Sequence, residues 1–451
     1  MSDVSDVPDG SDRSDCSAKS DNTIMKTPKT YKWELLLWLS LAFFTHQAGR
    51  AVLGIVVPDV QRDLGLSDEL MGWVPACLSI VLGIMIPISG ILGDRYSRKW
   101  IITWTLIIGS AATALAGASV GFFTLVLFYS VTSATCEAMY APSGYSLLAS
   151  FHKETRAVAM SVHQSALYIG VMTCGVLAAL IADHWGWRWS FAAFGLFGVL
   201  LGFVAIFRLK DAPHDEAEAS GASDKPGVLE SVRALVRIPS ALLLTVAFTA
   251  IVFVNNIYWF WVPKYLQDPE GLFRMSKTQS SGAFTYHVVA AMITILCGGF
   301  ITDRFVTRDP KFRLRLQAAA MLLGAPALYM VGTSTAVVMV WVFCALYGVF
   351  RGLFEINTHT SLFDVVPARY RATAVGLLTM TGFLVGGTVG PWLVGFHMKR
   401  IGTEAGMQLG FKLMAAAYVI GGVAMLASLL FTFQRDRLDA DGVKKHENHG
   451  N

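Results

Sequence analysis

Twelve runs of about twenty predominantly apolar residues recur along the chain, beginning near Trp33, Met71, Trp100, Phe122, Ala157, Trp189, Ser240, Gln279, Leu314, Ala336, Ala372 and Gly410. A run of about that length is what an α-helix needs to cross the hydrocarbon of a bilayer. In hydrocarbon every backbone N–H and C=O must find a partner within the protein, so such runs fold as helices. The rest of the composition agrees: 54% of the 451 residues are hydrophobic and only 15% are charged, against about 25% charged in soluble domains. The chain is therefore an all-α membrane protein. Its formal charge of +4 is too small to argue for a nucleic-acid partner.

Polar breaks divide the runs six plus six. Residues 1–32, rich in Ser and Asp with no apolar stretch, are expected as a disordered cytoplasmic tail rather than a leader or a span. A first bundle is expected over 33–209, a cytoplasmic linker over 210–238, a second bundle over 239–433 and a second cytoplasmic tail over 434–451. Orientation follows from the short loops. Arg95, Arg98, Lys99, Lys153, Arg156, Arg304, Arg308, Lys311, Arg313, Arg315, Arg369 and Arg371 share one side, which the positive-inside bias makes cytoplasmic, with both ends of the chain.

The two halves echo one another. Gly93-Asp-Arg-Tyr-Ser-Arg-Lys99 returns as Thr302-Asp-Arg-Phe-Val-Thr-Arg308, each after the second span of its half, and Arg156-Ala-Val-Ala returns as Arg371-Ala-Thr-Ala. Tyr129 precedes Glu137 by the same interval that separates Tyr347 from Glu355. Duplicated halves are how many carriers build a site at their interface. The six cysteines form no CxxC pair or metal-ligand spacing and are expected as small core residues. No GxxxxGK[ST], HExxH or GxSxG pattern occurs, so an ATP-driven pump or an enzyme is not expected and neither a cofactor nor a metal is implied.

Gly90-Ile-Leu-Gly-Asp-Arg-Tyr-Ser-Arg-Lys-Trp100 resembles the signature loop between helices two and three of the major facilitator superfamily. The resemblance implies two pseudo-symmetric six-helix bundles and a cytoplasmic latch made of Gly90, Gly93, Asp94, Arg95 and Arg98, echoed by Asp303 and Arg304. Within that superfamily, Cys136-Glu-Ala-Met-Tyr-Ala-Pro142, Trp261-Val-Pro-Lys-Tyr-Leu266, His163-Gln-Ser-Ala-Leu and Gly186-Trp-Arg-Trp-Ser-Phe191 are similar to the anion:cation symporters that carry sugar acids and sialic acid. Some of these features are shared with the spinster lipid carriers. The chain departs from the sugar-acid carriers at Gly49-Arg50, where they commonly have Asp-Arg, and at Ser130, where they often have Arg.

An ionisable group inside a bilayer is expensive unless it is paired or faces a cavity, so each is a functional candidate. The resemblance implies that helices one, four, seven and ten line the central cavity. Arg50 is expected to donate two parallel bonds to a substrate carboxylate, or else to pair with Glu137. Glu137 is the expected proton-coupling site, with His46, about one turn from Arg50, as a further proton carrier. Arg351 and Glu355, at i and i+4, form either an ion pair or a substrate contact. Gln164, Asn256, Tyr258 and Asn357 complete the expected substrate-binding set. The expected protein is a monomeric, proton-coupled importer of a sugar acid such as a hexuronate or aldonate in the plasma (inner) membrane, with sodium as the other candidate ion. A lipid or lysolipid carrier and a non-transporting solute sensor are the alternatives.

Overall fold

The computed structural model describes residues 30–152, 154–211, 228–306 and 308–438. Most of both tails and of the linker expected at 210–238 lies outside the described residues. Among the described residues, twelve helices are long and apolar enough to cross a membrane: α1 Tyr31–Leu64, α2 Asp68–Gly90, α3 Arg98–Ala116, α4 Phe122–Phe151, α5 Val158–Trp185, α6 Trp187–Arg208, α7 Pro239–Gln267, α8 Lys277–Val306, α9 Phe312–Thr333, α10 Val337–Phe363, α11 Ala368–Ile401 and α12 Thr403–Asp436. They form the two six-helix bundles that the resemblance implies. Eleven begin within about a turn of the sequence-based starts. The twelfth begins at Thr403 rather than near Gly410, because its first turns, Thr-Glu-Ala-Gly-Met-Gln, are too polar to register as an apolar run.

The helix ends follow local chemistry. Ser67 and Ser97 accept from the amides of Leu70 and Trp100 and so cap the starts of α2 and α3, and Ser276 with Gln279 forms a capping box before α8. Gly186 joins α5 to α6 at φ 90° and ψ 161°, and Gly402 joins α11 to α12 at φ 89° and ψ 159°. Only glycine adopts that backbone without strain. The same joint therefore stands at the same place in each half, a fourth echo of the duplication.

Twelve spans put both described ends on one face, here the termini face, and the opposite one is the distal face. At the distal face the halves are locked together. There α2 meets α11 so closely that a Cβ on Gly72 would stand 2.8 Å from the Pro391 carbonyl oxygen, and one on Gly395 would stand 2.4 Å from that of Asp68. Lys277 of α8 pairs with Asp59 of α1 at 3.0 Å and Asp183 of α5 at 2.9 Å. Lys399 pairs with Glu69 at 2.7 Å, Lys264 pairs with Asp68, and Gln267 donates to the Ile55 carbonyl at 3.1 Å. In each of these ion pairs the carboxylate belongs to the first half and the lysine to the second.

Of the cysteines expected in the core, Cys136, Cys174 and Cys344 are buried, whereas Cys297 is exposed on the outer flank of α8. Cys16 lies outside the described residues.

Candidate functional site

A cavity of about 520 Å³ lies between the halves. It reaches from Arg50 and Asn256 at mid-depth to Thr358 and His359, close to the end of α10 at the termini face. Helices α1, α4, α5, α7, α8, α10 and α11 all contribute to its wall.

The first half presents one charge pair. Arg50 Nη1 on α1 donates to Glu137 Oε1 on α4 at 3.3 Å, with side-chain exposures of 17% and 15%. Gln47, one turn before Arg50, donates to the same oxygen at 3.0 Å. Tyr129 OH donates to the Arg50 carbonyl at 2.7 Å and ties α4 to α1 just beyond the pair. The second half presents another, contained in one helix. Arg351 Nη2 stands 3.1 Å from Glu355 Oε2, and Arg351 Nη1 stands 3.0 Å from His287 Nε2. The ring of His287 is stacked on Tyr347 at 4.7 Å.

Each guanidinium also lies against an aromatic ring of the second half, Arg50 over Phe383 at 5.8 Å and Arg351 over Trp259 at 5.4 Å. Arg351 Nε is buried with no hydrogen-bond partner, and Glu355 is the more accessible member of its pair at 35% against 5% for the arginine. A buried N–H left unmatched in a polar space is unusual. The two arginines and two glutamates leave the cavity formally neutral.

The halves meet within the cavity as well. Tyr168 of α5 donates to Glu355 Oε1 at 3.2 Å, and Ser79 of α2 reaches Asn256 at 3.4 Å.

Of the residues expected from sequence, Arg50, Glu137, Gln164, Asn256, Arg351 and Glu355 line this one cavity. Gln164 accepts from Tyr145 OH at 2.8 Å. Three others do not line it. Tyr258 is buried, its hydroxyl donating to the Ala283 carbonyl at 3.1 Å and its ring 4.9 Å from His287. Asn357 is buried and bonds back to the Leu353 carbonyl at 3.2 Å. His46 is buried among α1, α3 and α4 with its ring 5.0 Å from Tyr140. Gln47 and Tyr168 were not expected, although each stands one turn from a candidate, Gln47 at i−3 from Arg50 and Tyr168 at i+4 from Gln164.

Of the expected latch, the side chains of Asp94, Arg95 and Asp303 lie outside the described residues, while Arg98 and Arg304 both have partners. A Cβ on Gly90 would meet nothing within 4 Å, and one on Gly93 would stand 3.5 Å from Ser143 Oγ. In this conformation neither glycine is required by close packing.

Twelve spans, duplicated halves and a cavity that holds two charge pairs, closed at one face and reaching toward the other, define a membrane transporter. The chain belongs to the Major Facilitator Superfamily, whose model matches residues 39–391. Among curated proteins it is 26% identical to the mouse sphingosine-1-phosphate transporter SPNS2, over 89% of this chain and 78% of that one. It is also 26% identical to the hexuronate transporter of Bacillus subtilis, over 88% of this chain and 93% of that one. Among solved structures, a bacterial homolog of the human lysosomal transporter Spinster, inward-facing and unoccupied, superposes with a TM-score of 0.77 at 19% identity, over 92% of this chain and all of that one. A D-xylose–proton symporter superposes at 0.72 with 15% identity, over 89% of this chain and 98% of that one.

Proposed function

We propose that this protein is a secondary active carrier of a small organic anion, taken up with a proton across a plasma membrane, its termini cytoplasmic. The carrying observation is that each half offers one arginine to a single cavity and holds it on its own glutamate. A substrate carboxylate that takes the Arg50 fork releases Glu137, and a carboxylate released into a half-buried site binds a proton more readily. Substrate and proton then enter together. Bundles 33–209 and 239–433 rock about this site, with the Gly90–Arg98 loop and its echo at Asp303 and Arg304 latching the termini face when the distal face opens.

A sugar acid such as a hexuronate suits the wall on which Gln164, Asn255, Asn256 and Thr358 offer hydrogen bonds beside the Trp259 ring. The likeness to the B. subtilis hexuronate transporter supports it. A second substrate class is favoured by the apolar part of the lining, where Phe248, Ile251, Val252, Ile295 and Phe354 suit a lipid acid.

Counterflow in proteoliposomes tests both. Labelled glucuronate exchanged by the wild type and not by Arg50→Ala supports the sugar acid. Exchange of a lysophosphatidic acid alone selects the lipid, and binding of either without flux identifies a sensor. Uptake by Glu137→Gln at full rate with the wild-type pH profile removes the proton role.

A further inference from the structure

A second space, of about 700 Å³, lies outside the bundle on the flank of α3 and α4. It arises from a mismatch in side-chain size. Trp100, Trp104 and Ile108 stand at i, i+4 and i+8 along α3, each more than 40% exposed, with the two indoles stacked at 6.5 Å. The opposing stretch of α4 offers the smaller Val131, Thr132, Thr135 and Cys136, with Met139 the one long side chain among them. That stretch begins in the wide-turned π-helical segment Val126–Ser133, which draws the α4 backbone out of regular α-helical register.

The groove begins at Tyr96 beside the termini face and ends at Ile108. Its helical part, Arg98 to Ile108, is about 15 Å long at 1.5 Å per residue, the ~15 Å depth of one leaflet's hydrocarbon. At its mouth Lys99 Nζ lies over the Trp100 ring at 5.2 Å, its described side-chain contact. The carboxylate at the same mouth, Asp211, is engaged by Ser97 Oγ and the Lys99 amide.

We propose that this groove is a binding site for an anionic phospholipid of the leaflet on the termini side, one acyl chain lying along Trp100, Trp104 and Ile108 and the headgroup on Lys99. The length, the apolar walls turned to the bilayer and the cation at the mouth select that occupant. The site has a consequence for transport. Cys136 on the groove floor precedes Glu137, which faces the central cavity, and a Cβ on Gly109 would stand 2.8 Å from the Cys136 Cβ and 3.3 Å from His46. The chain therefore backs the turn of α4 that carries Glu137, packed there against α3 and α1.

The test is native mass spectrometry of the full chain with phosphatidylglycerol or phosphatidylcholine as the added lipid. Wild type is expected to hold phosphatidylglycerol about fivefold more tightly. Lys99→Gln should bring it to the phosphatidylcholine level, and Thr132→Leu with Thr135→Leu, which fills the groove, should weaken both lipids. Equal binding of the two lipids by wild type, or a preference that survives Lys99→Gln, overturns the proposal. Lys99→Gln leaves the packed helices untouched, so the test stands even where the filled variant fails to fold.

Discussion

Replacing Lys277 by Gln removes the cation shared by Asp59 and Asp183, and with it two of the ion pairs that close the distal face. Breaking a fully buried pair costs about 3–5 kcal/mol, because a charge is left stranded. Here Lys277 is 20% exposed, Asp59 13% and Asp183 35%, so solvent screens part of that cost and about 1–2 kcal/mol is the appropriate scale. Asp59 keeps Arg62 at 2.7 Å, and the stranded Asp183 regains water when the distal face opens, so the loss falls on the closed state alone. The equilibrium should shift about 5–30-fold toward distal-open. Spin labels at Val120 and Leu272, exposed on distal loops of opposite halves, report the change as a longer-distance population in pulsed electron resonance. A distance distribution unchanged in Lys277→Gln, and unchanged again when Lys399→Gln is added, would refute the idea that these pairs hold the seam.

Gly72→Leu should act at the same seam by volume, since its Cβ would press on the Pro391 backbone; a melting temperature lowered by roughly 1–3 kcal/mol equivalent, or the longer-distance population, is expected. Arg351→Lys should cut counterflow at least about tenfold, because one ammonium cannot span both His287 and Glu355 as the guanidinium does, and wild-type exchange rates would show that the fork is dispensable. Tyr168→Phe removes a hydrogen bond to a carboxylate that joins the halves in this conformation. With Glu355 partly exposed, a change of about threefold in maximal rate with KM unchanged is expected, and an equal change in KM would place Tyr168 on the substrate instead.

The spans and their pairing were legible because apolar length is a coarse signal that tertiary context does not override. The facing of side chains was less so. In α1, every residue from Gln47 to Val57 except Arg50 is buried, so the polar-outside pattern that orients a soluble helix is missing. His46 and Arg50, one turn apart, could not be told apart on this ground, and one of them lines the cavity while the other does not. Tyr258 shares its neighbourhood with Asn255, Asn256 and Trp259, yet its ring turns to His287 instead of the cavity. The distal seal was missed for another reason. Asp59, Asp183 and Lys277 are far apart in sequence and each reads as an ordinary loop charge, so only the folded chain shows them meeting. The Gly186 and Gly402 joints were visible as glycines, but their shared left-handed backbone was not.

The segregation of sign across the distal seam, acids on one bundle and lysines on the other, also works as a recognition code. Two copies of the first bundle brought together in the same way would set Asp59, Asp68, Glu69 and Asp183 against their like, and two copies of the second would oppose lysines. A chain built from duplicated six-helix units thus discourages self-association of like units while favouring the mixed pair, so the two units expressed as separate polypeptides should assemble only as a heterodimer.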